Sequence, residues 1–265
     1  MNAAARAVAR TALYEGVRVW GINDGYQGLL DEDMWELESK DVGDIIQRGG
    51  TFLGTARCKE WTTPEGRRRG HENLIERGIE GLCVIGGDGS LTGTNEFRKN
   101  WPSLLEELVE TGDISAETAA SHPVLMVTGL VGSIDNDLVG ADMTIGTASA
   151  LHRILEAIDD ISSTAASHQR TFVVEVMGRH CGYLALMAAV AGGCDYVLVP
   201  ELPPGKDWEE DMCSKLKAGR EAGRRESMVI VAEGATDREG NRISADDVRQ
   251  VIADNLGEAA RVTIL

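Results

Sequence analysis

An α/β fold of the doubly wound, Rossmann-like kind, with parallel sheets in two lobes, is what this 265-residue sequence predicts. Three observations carry the prediction. Short runs of β-branched and aliphatic residues are nearly continuous in their hydrophobicity, as strands covered on both faces must be. Amphipathic segments rich in Ala and Leu alternate with them, which is the strand–helix–strand rhythm of a parallel sheet. The chain also holds 31 glycines, a supply expected where backbone turns sharply between elements or approaches a ligand.

The elements follow in order. A helix is expected over 2–14, ended by Gly16 in a left-handed cap position, and a strand over 17–22. A helix over 70–77 stops at Gly78, and a strand over 82–85 follows. The unit then repeats as helix 91–100, strand 124–128, helix 147–161 and strand 171–176. Further on come helix 182–191, strand 196–200, helix 207–222 ended by Gly223, strand 228–232, helix 244–256 and strand 261–265. No linker rich in Pro, Gly or Ser interrupts the pattern and no internal repeat is present, so a two-lobed body is expected, with lobes 1–146 and 147–265 meeting near Gly146. In such a fold the ligand cleft lies at the carboxyl ends of the strands, here between the lobes.

Composition excludes several function classes. A net charge of −17 argues against a binder of nucleic-acid backbones. With 43% hydrophobic residues the chain can bury a core, which argues against disorder. The five cysteines, Cys58, Cys83, Cys181, Cys194 and Cys213, are odd in number and form no CxxC, so neither a disulfide framework nor a zinc site is expected. The longest uncharged apolar stretch, 183–191, is far short of the roughly 20 residues that span a bilayer, and no leader pattern opens the chain. A cytoplasmic protein without a membrane partner is the expectation.

Three glycine-rich blocks can carry chemistry. In Val84-Ile85-Gly86-Gly87-Asp88-Gly89-Ser90-Leu91 a buried strand runs into glycines, a carboxylate and a hydroxyl ahead of a helix. Backbone amides and a helix N-terminus there can receive phosphate, and Asp88 can hold a magnesium ion on it. The block lacks the Gly-Lys-Ser ending of a Walker A loop, and an ordinary βα turn is the structural alternative. In Gly129-Leu130-Val131-Gly132-Ser133-Ile134-Asp135-Asn136-Asp137 two carboxylates stand two residues apart. One can take a proton from a hydroxyl while the other orients it or meets a metal, although an Asx-turn loop has the same composition. In Glu175-Val176-Met177-Gly178-Arg179-His180-Cys181-Gly182 an arginine at a strand's carboxyl end can grip a phosphate or a sugar hydroxyl, with a surface arginine as the alternative. His180 beside it reads as structural. Arg57, after a glycine-spaced turn, reads either as a phosphate clamp or as a solvated arginine. Arg67-Arg68-Arg69 and Glu209-Glu210-Asp211 read as solvated helix starts.

Taken together, GGTFLGTAR ending at Arg57, IGGDGSLTG around Asp88, GLVGSIDND around Asp135, SHQR ending at Arg170 and EVMGRHCG around Arg179 resemble the 6-phosphofructokinases in order and spacing over essentially the whole chain. GGDG alone also occurs in NAD kinases and lipid kinases, and its pairing with SIDND makes the resemblance specific. The 100–122 segment, the GSIDND spelling and PELPP near Pro200 make it most similar to the amino-terminal, catalytic half of the eukaryotic tandem enzyme. The resemblance implies phosphorylation of fructose 6-phosphate at its 1-hydroxyl by ATP, with Mg²⁺. Asp135 is then the base and Asp88 the Mg²⁺ ligand. Gly87, Gly89 and Ser90 line the nucleotide, with Arg57 and Cys58 beside it and Arg57 spanning the transferring phosphoryl group. Ser133, Ile134, Asp135, Met177, Gly178, Arg179 and Glu233 hold the sugar phosphate. Arg170 and Arg261 match arginines that reach a neighbouring subunit's substrate, which implies a homo- or hetero-oligomer. Pyrophosphate-using relatives carry Asp at the position of Gly89 and Lys at that of Gly132, so the small residues here imply ATP. The family's first strand with its Gly-Gly-Asp-x-Pro-Gly loop, and its His-x-Gln-Arg segment after Arg261, are not in this sequence. The chain is therefore expected to be cut at both ends, and a non-catalytic fragment or an assembly subunit is the alternative reading.

Overall fold

The computed structural model describes residues 1–168 and 170–257 and the backbone of 261–264. Packing divides the chain into two units, Met1–Gly132 and Ser133–Leu265.

The first unit contains α1 (Asn2–Tyr14), β1 (Trp20–Ile22), α2 (Tyr26–Leu30), β2 (Met34–Glu36), α3 (Pro64–Glu76), β3 (Gly81–Gly86), α4 (Asp88–Thr111), α5 (Ala116–Ser121) and β4 (Met126–Val131). β3 and β4 pair in parallel with Gly86 opposite Val131, as the sequence pattern predicts. The run 17–22 departs from its expected place in a parallel sheet. Only Trp20–Ile22 is strand, and it pairs antiparallel with β2. The connection between them holds only the five-residue α2, too little chain for the crossover that a parallel return needs.

α4 is longer than the expected 91–100, because it continues through Pro102 to Thr111. A proline inside a helix costs about 3 kcal/mol. Phe97, Trp101, Leu104, Leu105 and Leu108 form one buried stripe on both sides of it, and each contributes about 1.5–3 kcal/mol by burial, so packing outweighs the lost hydrogen bond. Gly112, at φ 83°, then ends the helix.

His71 of α3 lies inside this core at 0% exposure. Its ring centre is 3.6 Å from that of Trp101, and neither ring nitrogen has a hydrogen-bond partner among the described residues. Burial, with a smaller repulsion from His122, pushes its pKa down to about 3. A histidine that is neutral in the fold but protonates near its ordinary value of about 6.5 when unfolded gives stability that is full above that pH and is lost as pH falls toward 3. The loss has a limiting slope of about 1.4 kcal/mol per pH unit. Thermal unfolding midpoints should therefore fall more steeply from pH 6.5 to 4.5 in the native chain than in His71→Leu. Equal slopes would exclude His71 as the cause.

The second unit contains α6 (Thr147–His168), β5 (Thr171–Val176), α7 (Tyr183–Gly192), β6 (Tyr196–Leu198), α8 (Trp208–Glu221), β7 (Ser227–Ala232), α9 (Ala245–Leu256) and β8 (Arg261–Ile264). Its sheet is parallel throughout, in the order β6-β7-β5-β8. β5 and β7 are buried along their whole length, which is why they read as unbroken apolar runs. Alternate residues serve opposite faces: Val174 and Ile230 pack with Ile154, Ile158 and Leu184 from α6 and α7, whereas Val173 and Val229 pack with Met212, Leu216, Val248 and Ile252 from α8 and α9. The boundary falls before Ser133 and not near Gly146. The Gly146 amide donates to the Ser133 carbonyl at 2.9 Å, and a Cβ on Gly146 would stand 2.7 Å from Ile134, so the segment between them packs with the second unit.

Among the described residues, no helix is long and apolar enough to cross a membrane.

Candidate active site

In the first unit β3 ends at Gly86 and α4 begins at Asp88, so the turn between them is as tight as a strand-to-helix passage allows. The Gly87 carbonyl accepts from the amides of Ser90 and Leu91, both at 3.1 Å. A Cβ on Gly86 would stand 2.8 Å from Ser90 Cβ, so that glycine is required by packing. Gly87 and Gly89 differ, because a Cβ on either meets nothing within 4 Å. The protein's own packing leaves their surroundings open, which is the room a phosphate chain needs at a helix N-terminus. Asp88 is exposed, and its Oδ1 accepts only a 3.4 Å bond from the Thr92 hydroxyl. Tyr26 donates to the Ser90 carbonyl at 2.6 Å and buttresses this first helical turn from behind.

Arg57 is exposed and its side chain has no ion pair or hydrogen bond among the described residues. Cys58 next to it is half-buried against the core that holds Trp61. The Gly132 amide donates to the Gly86 carbonyl at 2.9 Å, so the ends of β3 and β4 are tied together.

In the second unit, the segment after Gly132 is tied down at four points. The Asp135 amide donates to Ser133 Oγ at 3.1 Å and the Gly146 amide to the Ser133 carbonyl at 2.9 Å. Thr147 Oγ1 donates to the Ile134 carbonyl at 3.1 Å, and the Thr144 amide donates to Asn136 Oδ1 at 2.9 Å. The Asp135 carboxyl is raised above the ordinary aspartate range, first by burial and then by the negative charges of Asp137 and Glu233, with His180 opposing. A carboxyl so placed is a stronger base than a solvated one.

The loops after β5 and β7 complete this side. Val176 and Ala232 are paired at the strand ends, and the Glu233 amide donates to the Val176 carbonyl at 2.9 Å. A Cβ on Gly234 would lie 1.8 Å from the Arg179 carbonyl oxygen, so the two loops press backbone against backbone. Gly178 turns at φ 128°, where a Cβ would stand 2.4 Å from the Cys181 carbonyl oxygen. The Gly182 amide donates to Glu201 Oε1 at 2.7 Å and fixes the loop's far end. Behind Glu233, Arg242 donates to its carbonyl at 3.2 Å and pairs at 3.1 Å with Glu175, a carboxylate 9% exposed near the carboxyl end of β5 that also accepts the Ala245 amide at 3.0 Å. Met177 and Arg179 are exposed at the mouth of the loop, and the Arg179 side chain has no partner among the described residues.

The structure thus brings Ser133, Ile134, Asp135, Met177, Gly178, Arg179 and Glu233 into one unit, with Asp135 and Glu233 coupled electrostatically. Arg57, Cys58, Gly87, Asp88, Gly89 and Ser90 belong to the other. Arg170 stands apart from the loop of Arg179. It precedes β5 while Arg179 follows it, so the strand's six residues, roughly 20 Å, lie between them. The backbone of Arg261 pairs opposite Phe172 at that same far end of β5, and its side chain lies outside the described residues. His180, read from sequence as structural, is a neighbour of Asp135 that opposes the rise of its pKa. Its place next to Arg179 was the only sequence signal for this. Arg242 and Glu201 were not singled out, because a single charged residue in a loop carries no spacing pattern.

The sequence profile described as phosphofructokinase matches residues 1–265. This chain belongs to the phosphofructokinase family. Its relatives include the liver-type ATP-dependent 6-phosphofructokinase of Bos taurus, 56% identical, and the muscle-type enzyme of Mus musculus, 52% identical. Both alignments cover 100% of this chain and 34% of the relative. Among solved structures, the phosphofructokinase of Saccharomyces cerevisiae superposes with a TM-score of 0.97 at 48% identity, over 100% of this chain and 36% of that one. This phosphofructokinase chain therefore spans about a third of the length of these relatives. The pyrophosphate-dependent phosphofructokinase of Marinobacter aquaeolei shares the fold, with a TM-score of 0.78 at 23% identity over 99% of this chain and 64% of that one.

Proposed function

We propose that this chain carries the catalytic residues for transfer of the γ-phosphoryl group of ATP to the 1-hydroxyl of fructose 6-phosphate, giving fructose 1,6-bisphosphate in glycolysis, in the cytoplasm. The observation that carries the reading is Asp135: a carboxyl tied into a fixed loop and made more basic by burial and by two neighbouring carboxylates, as a base for an alcohol requires. Asp135 accepts the hydroxyl proton as the sugar oxygen forms its bond to phosphorus and the bond from phosphorus to the ADP oxygen breaks. Arg179, Glu233 and the backbone of Met177 and Gly178 hold the sugar phosphate, and Ser133 and Ile134 set the approach to Asp135. Arg57, with no internal partner, offsets charge on the transferring group. The amides of Gly87, Gly89 and Ser90 receive the nucleotide phosphates, with Cys58 alongside. The fold is shared with a pyrophosphate-dependent relative, so the donor is set by side chains, and the open space at Gly89 favours ATP.

The donor set fits Mg²⁺. Asp88 is an exposed carboxylate with a single weak hydroxyl contact, and no group of three or more His, Cys, Asp or Glu able to hold a metal exists among the described residues. One carboxylate with substrate phosphates is how magnesium is usually held. When bound, it would neutralise phosphate oxygens. Arg170 and Arg261, at the far end of β5, serve a neighbouring subunit's substrate in an oligomer.

A coupled assay of ADP formation from ATP, fructose 6-phosphate and Mg²⁺ tests the reading. Turnover that needs all three and fails with pyrophosphate is expected. A folded chain that binds both substrates without turnover would instead favour the non-catalytic, assembly reading. The pH profile gives a second test. The base must be ionised, so the acid limb of kcat/KM should lie above the ordinary aspartate value of about 3.9. It should move down in Asp137→Asn and up in His180→Gln. A limb unmoved by both would show that these charges do not reach the base.

A further inference from the structure

We propose that Asn136 is a positioning residue for Asp135, locking the aspartate by tying the chain immediately beyond it to Thr144. Asn136 is one of four non-glycine residues with positive φ among those described, at 59°. A left-handed conformation is costly for most side chains and least so for Asn, so something must repay it. Its Oδ1 accepts the Thr144 amide at 2.9 Å, closing the loop that runs between them. Thr144 and Thr147 are 2% and 1% exposed, and their hydroxyls bond each other. Thr147 in turn holds the Ile134 carbonyl at 3.1 Å. Asp135 is thus clamped from both sides, through Ile134 before it and Asn136 after it, by the first turn of α6 and the residues leading into it. Between the clamps, Val139 and Met143 are exposed, so these two side chains add little packing to hold the loop's tip. The carboxyls of Asp137 and Glu233 and the imidazole of His180 then act on Asp135 from fixed places. Asn136 is neither base nor ligand here.

The inference concerns the geometry of Asp135, and its consequence for turnover rests on the function proposed above. Two readouts keep these separate. The first is the titration of the Asp135 side-chain carbon by carbon-13 NMR in the whole chain labelled at aspartate, assigned by its loss in Asp135→Asn, together with amide exchange at Thr144. Asn136→Gly keeps the left-handed backbone accessible and removes only the tie. Its Asp135 midpoint should fall toward the ordinary aspartate value as water enters, and the Thr144 amide should lose protection. Asn136→Asp keeps the acceptor and adds a charge, so Thr144 stays protected and the midpoint rises. The second readout is turnover: Asn136→Gly should lower kcat about tenfold or more with KM for ATP within about twofold, and Asn136→Asp should restore most of kcat at a pH above the raised midpoint. An unchanged midpoint and unchanged exchange in Asn136→Gly would overturn the proposal, as would an unchanged kcat. If the native chain shows no turnover, the function reading falls while the titration and exchange still decide the role of Asn136. Should Asn136→Gly not fold, Thr147→Val, which releases Ile134 on the other side, is expected to lower the same midpoint, with Thr147→Ser restoring it.

Discussion

Asp135→Ala should lower kcat by about two to four orders of magnitude, the range that a positioned general base contributes. The effect belongs to the transition state, because the proton leaves the sugar hydroxyl only as the new bond to phosphorus forms. KM for ATP should therefore change little, since the residues placed at the nucleotide, Gly87 to Ser90, lie in the other unit. Stability should not fall, and should rise slightly at neutral pH. The Asp135 carboxyl is raised in the fold, so the unfolded chain loses that proton at lower pH, and ionised Asp135 costs stability as pH climbs through the folded midpoint. Steady-state kinetics beside thermal unfolding check both halves. Turnover within threefold of the native chain would remove Asp135 from the role of base.

The second large effect is expected at Gly234, and it is structural. Alanine there would put its Cβ 1.8 Å from the Arg179 carbonyl oxygen, far inside contact distance, and the obstacle is backbone that cannot rotate away. The loops after β5 and β7 would have to part, breaking the Glu233 amide's bond to Val176 or the pairing behind it. A loss above about 4 kcal/mol is expected, against a typical total of 5–15, so Gly234→Ala should be largely unfolded or have no measurable affinity for fructose 6-phosphate. Gly87→Ala is the contrasting case. Nothing lies within 4 Å of that Cβ, so the unfolding midpoint should stay within a few degrees of the native value while KM for ATP rises. Both are read by thermal unfolding and by ligand titration. Near-native behaviour of Gly234→Ala would mean that the two loops are not held together as described.

What could be read from the residues alone follows from where the signal is local. Gly16, Gly78 and Gly223 sit at φ 77°, 63° and 93°, as helix ends followed by glycine predict. β5 and β7 were legible because strands buried on both faces have no polar alternation to obscure them. The glycine blocks around Asp88 and Asp135 marked the candidate site, since a glycine that must be glycine leaves a trace in sequence. Where the outcome depended on balance between distant groups, local reading failed. The helix expected over 91–100 runs on through Pro102, because a buried stripe on both sides of it keeps α4 going. The run 17–22 had strand composition, and its partner and direction were decided by the short α2 connection.

The sequence by itself determined the family, the parallel α/β plan and where the glycines and carboxylates of the candidate site stand along the chain, because these depend on residue type at fixed spacing. Only the tertiary structure decided that Arg170 stands at the opposite end of β5 from Arg179, that His180 and Glu233 act on Asp135, and that the loop of Asp135 is clamped to Thr144 and Thr147. Charge and hydrogen bonding act through space over a few ångströms, and residues tens of positions apart come that close only after the chain has packed.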